Sequence, residues 1–301
     1  MDAQQQGSHG LRGVLSSAGA YLCWGLFPLF WRELKNVDAT ELIAHRVVWS
    51  VVFLMGLTSL LGGWAEVKAA FASAKLTGLH LLSGALLTIN WLVYVWSVNN
   101  GRVIEMSFGY FLVPLFNVAL GKLVLHERLR RLQWLAIALA AVGVALQLTG
   151  VGRFPWAGLA VAFSFGFYGL CRKRSPLGSL AGLTMETALY TPLAAAFLLW
   201  RVREGTGALG HVDAWQHVLI LSAGVITAVP LLLFADGARR LRLSTIGVLQ
   251  YIGPTLTFVL GVFVYDEAFE KGRLLSFVLI WTALVLYTAD NLRAFAQREK
   301  K

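Results

Sequence analysis

Charged residues are scarce in this sequence of 301 residues, in which Asp, Glu, Lys and Arg together make up 14%. Long polar segments are missing as well, because the longest polar connections are residues 62–77 and 201–214. Hydrophobic residues account for 57% of the chain, and the mean hydropathy is +0.65. This composition excludes a soluble domain of this length and is typical of an all-α integral membrane protein.

Cysteine is almost absent, since the chain contains only Cys23 and Cys171. They lie in different predicted spans and have neither metal-binding nor redox spacing, so we expect two packing residues and no disulfide. The polar start of the chain, residues 1–10, lacks the basic region and apolar core of a cleavable signal peptide. We therefore expect the first apolar span to remain as a membrane helix.

The sequence also lacks the motifs of several enzyme classes. It has no His-Glu-x-x-His zinc motif, no Gly-x-Ser-x-Gly nucleophile turn and no P-loop. We expect no enzymatic activity, no cofactor and no metal. The net charge is +10, but the basic residues lie in short loops beside apolar spans. That placement favours lipid headgroups over nucleic acid as their partners.

What the chain does contain is a series of ten apolar windows. Each is long enough to cross a hydrocarbon core of about 30 Å at a helical rise of about 1.5 Å per residue. We predict transmembrane helices at residues 11–31, 39–61, 78–99, 103–123, 131–149, 156–172, 178–200, 215–236, 243–264 and 273–291. The connection between the second and third windows has apolar residues at helical spacing and predicts a short interfacial helix.

The second half of the chain echoes the first at an offset of 140 residues. Proline and glutamate are both uncommon inside apolar helices, so their recurrence at one spacing indicates a duplication. The recurring residues are Arg102, Pro114, Gly121 and Glu127, which return as Arg242, Pro254, Gly261 and Glu267. We predict two repeats of five helices each, over residues 1–150 and 151–301. We expect Glu127 and Glu267 to act at helix junctions.

Five spans per repeat is an odd number, so the second repeat enters the membrane from the opposite side. The repeats are therefore predicted to be inverted, an arrangement typical of transporters whose substrate site lies between them. Lys and Arg are concentrated in the segments that face inwards when both termini are cytoplasmic, for example Arg172, Lys173 and Arg174. This asymmetry follows the positive-inside rule.

Charged residues open the second span, where Glu41 and His45 share a helix face and Arg46 follows. A charge near the bilayer centre costs about 2.5–3.5 kcal/mol, so these groups need partners or a wet cavity. We expect Glu105 to pair with Arg46 in the outer half of the membrane. Two interpretations remain open: a fixed ion pair that orders helices, or a substrate path or gate.

The seventh span carries a comparable group, with Glu186 where the second span has Glu41 and Tyr190 near the position of His45. Inversion places this group in the inner half. Glu41 and Glu186 are interpreted as an outer and an inner gate, or as proton-titratable groups on the two sides. A neutral, hydrogen-bonded Glu is a further alternative.

The third span is rich in amide and aromatic side chains. We expect Asn90 near mid-membrane to face a cavity, because a lipid-facing amide has no hydrogen-bond partner. Trp91 and Tyr94 are candidate cavity walls. Trp24, Phe27 and Tyr168 are candidates for completing an aromatic lining, although single aromatic residues more often face lipid or the core.

Pro114 and Pro254 lie in the middle of their spans, where each removes a backbone hydrogen bond and kinks its helix. Such breaks commonly line the cavity of transporters built from inverted repeats. Polar residues surround both kinks and are further site candidates. They are Tyr110 and Asn117 in the fourth span, and Gln250 and Tyr251 in the ninth.

Several stretches of the chain closely resemble the RarD family of bacterial EamA-type drug/metabolite transporters. The resemblance covers nearly the whole chain. It is carried by Glu41 with His45-Arg46-Val47, Asn90-Trp91 followed by Val98-Asn99-Asn100, Gly109-Tyr110-Phe111 with Pro114, Ala162-Phe163-Ser164-Phe165, and Gln250-Tyr251-Ile252-Gly253-Pro254-Thr255. The family pattern usually has glycine before the first repeated glutamate, where this chain has His126; Asp266, before Glu267, is a second departure.

The resemblance implies ten helices in the bacterial inner membrane, cytoplasmic termini and a central cavity that opens alternately to the two sides. We therefore expect a secondary transporter of small amphipathic metabolites or drugs, with efflux favoured over uptake and proton coupling as one mode. An intramembrane enzyme and a channel-like or receptor-like binding protein remain the alternatives.

Overall fold

The computed structural model describes residues 3–148, 154–264 and 271–299, and within these ranges every regular secondary-structure element is a helix. The helices are α1 (Ala3–Arg32), α2 (Ala39–Leu60), α3 (Trp64–Phe71), α4 (Ala74–Asn99), α5 (Val103–Leu123), α6 (Arg131–Leu148), α7 (Trp156–Arg174), α8 (Ser179–Arg203), α9 (Ala214–Arg240), α10 (Leu243–Leu249), α11 (Ile252–Phe263) and α12 (Lys271–Glu299). Glu267 and Asp266 lie outside the described residues.

Nine segments within these ranges are long and apolar enough to cross a membrane, with α10 and α11 counted as one. The protein is thus a multi-pass membrane protein. Helix α7, at the place of the sixth predicted span, is not among the nine. Its last turn consists of Arg172, Lys173 and Arg174, which lower its mean hydropathy. The short helix predicted between the second and third spans is present as α3, where Val67 and Ala70 are buried.

The two repeated prolines act differently on their helices. Helix α5 continues through Pro114, whereas the ninth predicted span is divided into α10 and α11 at Gln250 and Tyr251. The division begins at Gln250, four residues before Pro254. In a continuous α-helix the Gln250 carbonyl accepts from the amide of residue 254, and a proline has no amide hydrogen to donate. The Gln250 carbonyl accepts a hydrogen bond from the Gly253 amide instead, at 3.1 Å.

The main helix contacts join the first half of the chain to the second. Helix α1 packs on α9 and α11, α2 on α8 and α9, α4 and α5 on α7, α5 on α10, and α6 on α12. Glycine permits the closest of these crossings, because a Cβ atom on Gly109 of α5 would lie 2.7 Å from the backbone of Gly158 in α7. A Cβ atom on Gly224 of α9 would lie 2.2 Å from the Trp49 carbonyl carbon in α2.

Three glutamates cap the amino ends of helices that are distant in sequence. A Glu127 carboxylate oxygen accepts from the Leu243 amide at 2.6 Å and the other from the Ser244 amide at 3.0 Å, at the start of α10. Glu66 of α3 accepts from the Gly178 amide at 2.6 Å, just before α8. Glu105 caps α7. A carboxylate satisfies free amides there and complements the positive end of the helix dipole, so Glu127 has the expected junction role.

Candidate functional site

A narrow cleft with a cavity volume of about 30 Å³ lies between two helices of each half of the chain, α2 and α4 on one side and α8 and α9 on the other. The cleft lies within the lengths of four helices that are each long and apolar enough to cross a membrane. Its walls are Val47, Ser50, Leu54, Gly84, Leu87, Thr88, Trp91, Leu183, Glu186, Thr187, Tyr190, Thr227, Ala228 and Leu231. Trp91, Glu186 and Tyr190 are the predicted site residues that line it.

Arg46 lies at one end of the cleft. Its guanidinium carbon is 4.2 Å from the ring centre of Trp91 and 5.1 Å from that of Trp31. Its Nε donates a hydrogen bond of 2.9 Å to the hydroxyl of Thr227, which lines the cleft together with Trp91. Cation–π contact with two indoles stabilises a charge that is poorly solvated at this depth.

The expected ion pair between Arg46 and Glu105 is not formed between these two described residues. One Glu105 oxygen accepts from the Ala157 amide at 2.6 Å, and the other lies 3.3 Å from Arg102. Glu105 is therefore held at the start of α7. The sequence predicts that Arg46 and Glu105 lie in the same half of the membrane. It does not indicate that the start of α7 needs a carboxylate cap, which Glu105 provides.

Glu41 is buried beside the end of α8 and away from the cleft lining. One of its oxygens accepts from the Ala208 amide at 2.6 Å, and the other accepts from Arg201 at 3.2 Å. His45 is also buried, with its Nε2 3.6 Å from Glu41, and neither ring nitrogen makes a hydrogen bond. Glu41 thus ties the start of α2 to the end of α8 and to the loop that follows.

Asp38 precedes this group and caps α2 from outside the helix. Its carboxylate accepts from the Thr40 and Glu41 amides at 3.0 Å each. Partial burial opposes ionisation, but the hydrogen bonds from Thr40 and Glu41 and the charge of Arg201 outweigh it, so the pKa of Asp38 lies below its ordinary value.

Glu186 lies at the other end of the cleft within a buried polar cluster. One carboxylate oxygen accepts a hydrogen bond from Ser83 and lies 3.7 Å from His80 and 3.8 Å from Arg172. The second oxygen is buried without a hydrogen-bond partner. Tyr190 stands beside this group and donates a hydrogen bond of 2.7 Å to the Leu81 carbonyl.

His80 and Arg172 are members of this cluster that sequence reasoning missed. Arg172 is almost fully buried, and its Nη1 donates to His80 at 3.4 Å. Because the Arg172-Lys173-Arg174 run closes an apolar helix, the sequence predicts that its charges lie in an inward-facing segment at the membrane surface. A histidine within the apolar third span was the available signal for His80, since an ionisable residue at that depth points to a site or a buried partner.

Asn90 is buried against α7 and is not part of the cleft lining. Its amide donates to the Val161 carbonyl at 3.0 Å and to the Ser164 hydroxyl at 3.1 Å. Asn90 was expected to face a cavity, but its amide is satisfied by another helix, α7, and it does not line the cleft. Tyr94, on the same helix, is 41% exposed and lies 6.0 Å from the ring of Tyr110.

The residues around the two prolines meet where α5 crosses the α10–α11 break. The Asn117 amide donates to the Gln250 side chain at 3.0 Å, and both residues are buried. The hydroxyl of Tyr251 donates to the Phe111 carbonyl at 3.3 Å. The cleft described above does not include these residues, which join the two halves of the chain.

Tyr168 is fully buried in the core between α1, α7 and α9, where its ring stacks on Phe234 at 5.8 Å. Trp24 contacts the same Phe234 ring at 5.7 Å. These aromatic side chains pack helices together behind the cleft. Among the described residues, no group of three or more His, Cys, Asp or Glu side chains forms a metal site.

The chain resembles known transporters over nearly its whole length. It matches the EamA-like transporter family twice, over residues 11–149 and 155–289. Protein RarD of Salmonella typhi is 41% identical over 300 residues, which cover 100% of both chains. An uncharacterized transporter of Vibrio cholerae is 43% identical over 284 residues, which cover 94% of each chain.

The fold also resembles a solved crystal structure, with a TM-score of 0.69. The similarity covers 92% of this chain and 97% of the other, at 18% sequence identity. At this identity the likeness concerns the fold, and it extends over nearly all the helices.

Proposed function

The chain belongs to the RarD family of EamA-like transporters, and on that premise we propose that it exports small amphipathic metabolites or drugs across the bacterial inner membrane. The observation that carries this proposal is the cleft between α2, α4, α8 and α9. It combines apolar walls with a few polar groups, which suits an amphipathic molecule.

Alternating access is the proposed mechanism, with two inverted repeats of five helices and both termini in the cytoplasm. Two features support the repeats: the family matches each half of the chain, and the main helix contacts cross from one half to the other. Helix α7 serves as the tenth span in this proposal. The two repeats rock about the shared cleft, which thereby opens to one side at a time.

In this mechanism, contacts at the two ends of α2 have to break and form as the repeats rock. Near its start, Glu41 binds Arg201 and the Ala208 amide; near its end, the Thr58 hydroxyl lies 3.1 Å from that of Thr184. Both contacts join α2 to α8 or the loop after it. We assign Glu41 to the outer closure of the cleft.

Glu186 is the proposed proton-exchanging group. It lines the cleft, and one of its oxygens is buried without a hydrogen-bond partner. The groups that face it are His80 of α4, Arg172 and Tyr168 of α7, and Tyr190 of its own helix. A proton on Glu186 removes a buried charge, which makes the site suited to couple proton movement to transport.

A pair of neighbouring substitutions tests the transport site. Thr88 lines the cleft, whereas the adjacent Ile89 is 48% exposed on the outer surface of the helix bundle. We expect Thr88→Trp to fill the cleft and abolish export, and Ile89→Trp to retain it. Comparative metabolomics of cells that lack or overproduce the protein identifies the exported compounds, and flux in proteoliposomes then compares the two variants.

Equal flux through both variants refutes the cleft as the transport site. Saturable counterflow is the second expected result, since an alternating carrier exchanges substrate across the membrane. Flux without saturation or counterflow indicates the channel-like alternative. Transformation of the exported compound by purified protein indicates the enzymatic one.

A further inference from the structure

Among the described residues, Arg46 differs from the other buried or partly buried arginines in having no carboxylate within ion-pair distance. Arg102 pairs with Glu105 at 3.3 Å, Arg201 with Glu41 at 3.2 Å and Arg172 with Glu186 at 3.8 Å. No ion pair is formed by Arg46 with the described residues. Its charge lies at a depth where an arginine ordinarily has a counter-ion.

Neighbouring side chains fix the orientation of the Arg46 guanidinium, but only one of its three nitrogens donates a hydrogen bond to the described residues. Thr227 binds Nε, and the indoles of Trp91 and Trp31 flank the planar group. The two Nη nitrogens donate no hydrogen bond to the described residues and are not among the fully buried polar atoms that lack a partner, so they are not completely shielded. Parallel Nη donors on a held guanidinium match the two oxygens of a carboxylate.

In the part of the chain that the structure describes, this end of the cleft carries neutral hydrogen-bonding groups, and the acidic lining residue Glu186 is at the other end. Tyr94 and Tyr110 lie within electrostatic range of Arg46, and Thr227 lines the cleft beside it. Glu186 is at the opposite end, near Gly84, while Trp91 is beside Arg46. Gly84 and Trp91 are seven residues apart on α4, a rise of about 10 Å.

Between the two ends, the walls are largely aliphatic, with Leu54, Leu87, Leu183 and Leu231. The charge of Glu186 is already paired with Arg172, whereas Arg46 has no ion pair with the described residues, so the charges of the cleft favour one orientation of an anionic ligand. Its carboxylate lies at Arg46 and its apolar body lies against the leucines.

We infer that the transported molecules are organic carboxylates with an apolar body, and that the Nη nitrogens of Arg46 bind their carboxylate group. This inference rests on the proposed function, because it names the substrate class of the same cleft. Arg46 then acts as the residue that selects the anionic head group.

The test uses probes that share one apolar body and differ only in the head group: 3-phenylpropanoate, 3-phenylpropanamide and 3-phenylpropylamine. Each is titrated into the detergent-purified full chain, with tryptophan fluorescence as the signal because Trp91 lines the cleft. We expect the carboxylate to bind at least about tenfold more tightly than the amide or the amine, the usual effect of a charge-assisted hydrogen bond.

Two arginine variants separate recognition from structure. Arg46→Gln should remove the preference for the carboxylate, and Arg46→Lys should keep part of it. Arg102→Gln is the matched control and should keep the preference in full, since Arg102 also lies over two indoles, at 5.0 Å from Trp96 and 5.6 Å from Trp156, but has an acidic partner. A purely structural role for Arg46 would change the binding of all three probes alike.

The inference is overturned if 3-phenylpropanoate binds no better than its amide, whether or not either binds, or if Arg46→Gln retains the preference. Failure of the proposed function has a different signature, which is equal export by the Thr88→Trp and Ile89→Trp variants. Head-group preference is measured at equilibrium and does not depend on that export result.

Discussion

The hydroxyl of Tyr251 donates to the carbonyl of Phe111, and the two rings lie 6.4 Å apart. The two residues are separated by 140 positions, the same offset that separates Pro114 from Pro254. Residues at matching positions of two copies meet where the copies face each other across a symmetry axis. This contact is the one expected at the centre of the proposed inverted repeat, and it lies beside the break between α10 and α11.

Replacement of Glu41 by glutamine is expected to reduce flux about tenfold, the scale of an ordinary coupling energy between sites, while folded protein remains in the membrane. Glutamine keeps an acceptor for the Ala208 amide but removes the charge that pairs with Arg201. Flux in proteoliposomes measures the effect. Arg201→Gln and the double variant complete the cycle, and the double variant should be no worse than either single one. Unchanged flux in Glu41→Gln would remove Glu41 from the mechanism.

Replacement of Glu186 by glutamine is expected to make flux insensitive to a pH gradient, because the side chain no longer exchanges a proton. Proteoliposomes with and without an imposed gradient provide the measurement. The control is His80→Gln, which removes the neighbouring titratable ring but leaves the carboxylate, and which should keep the gradient response. A wild-type flux that ignores the gradient contradicts proton coupling altogether.

Substitution of Asp38 by alanine should destabilise the protein by about 1 kcal/mol, the usual cost of losing a helix cap. Because the native pKa of Asp38 is lowered, ionised Asp38 stabilises the fold above its ordinary pKa, and this contribution disappears as the pH falls through the lowered native pKa. Melting temperatures of purified wild type and variant across this acidic range should therefore converge. Asp38→Asn, which can cap without titrating, should differ from Asp38→Ala by an amount that stays constant across this pH range.

Replacement of His126 by glycine should stabilise the protein by about 0.5–1 kcal/mol. His126 has a φ of 54°, in the left-handed region where a side chain is strained, and it is exposed, so little contact is lost. Thermal unfolding of the purified protein is the measurement. His126→Ala is the control, since alanine keeps the strain and should not stabilise; a gain equal to that of glycine would attribute the effect to the loss of the imidazole.

Local properties of the chain were sufficient to predict most helices. Hydropathy over about 20 residues reports the medium that surrounds a helix, so the predicted spans agree with the long helices to within a few residues at most ends. The interruption near Pro254 was predictable as well, because a proline removes a donor wherever it stands. That α5 continues through Pro114 depends on the helices packed around it.

Partners of buried polar groups required the tertiary structure. Asn90 needs hydrogen bonds at its depth whatever the fold, but only the packing of α4 on α7 supplies Val161 and Ser164 as acceptors. In the same way, the sequence indicates that Glu105 and Arg46 cannot be left in lipid. Which group satisfies each of them depends on helices that are distant in sequence.

The sequence by itself determined that the protein is a membrane protein and that its two halves are similar. It also determined which polar residues have a high free-energy cost inside the bilayer. These properties follow from composition and from periodic patterns along one chain. Only the tertiary structure decided that Glu105 caps α7, that Arg172 and His80 surround Glu186, and that Arg46 lies at a cleft and forms no ion pair with the described residues. Which groups pair electrostatically or by hydrogen bonds depends on distances of a few ångströms between neighbouring helices. The residue pattern along a single helix does not determine those distances.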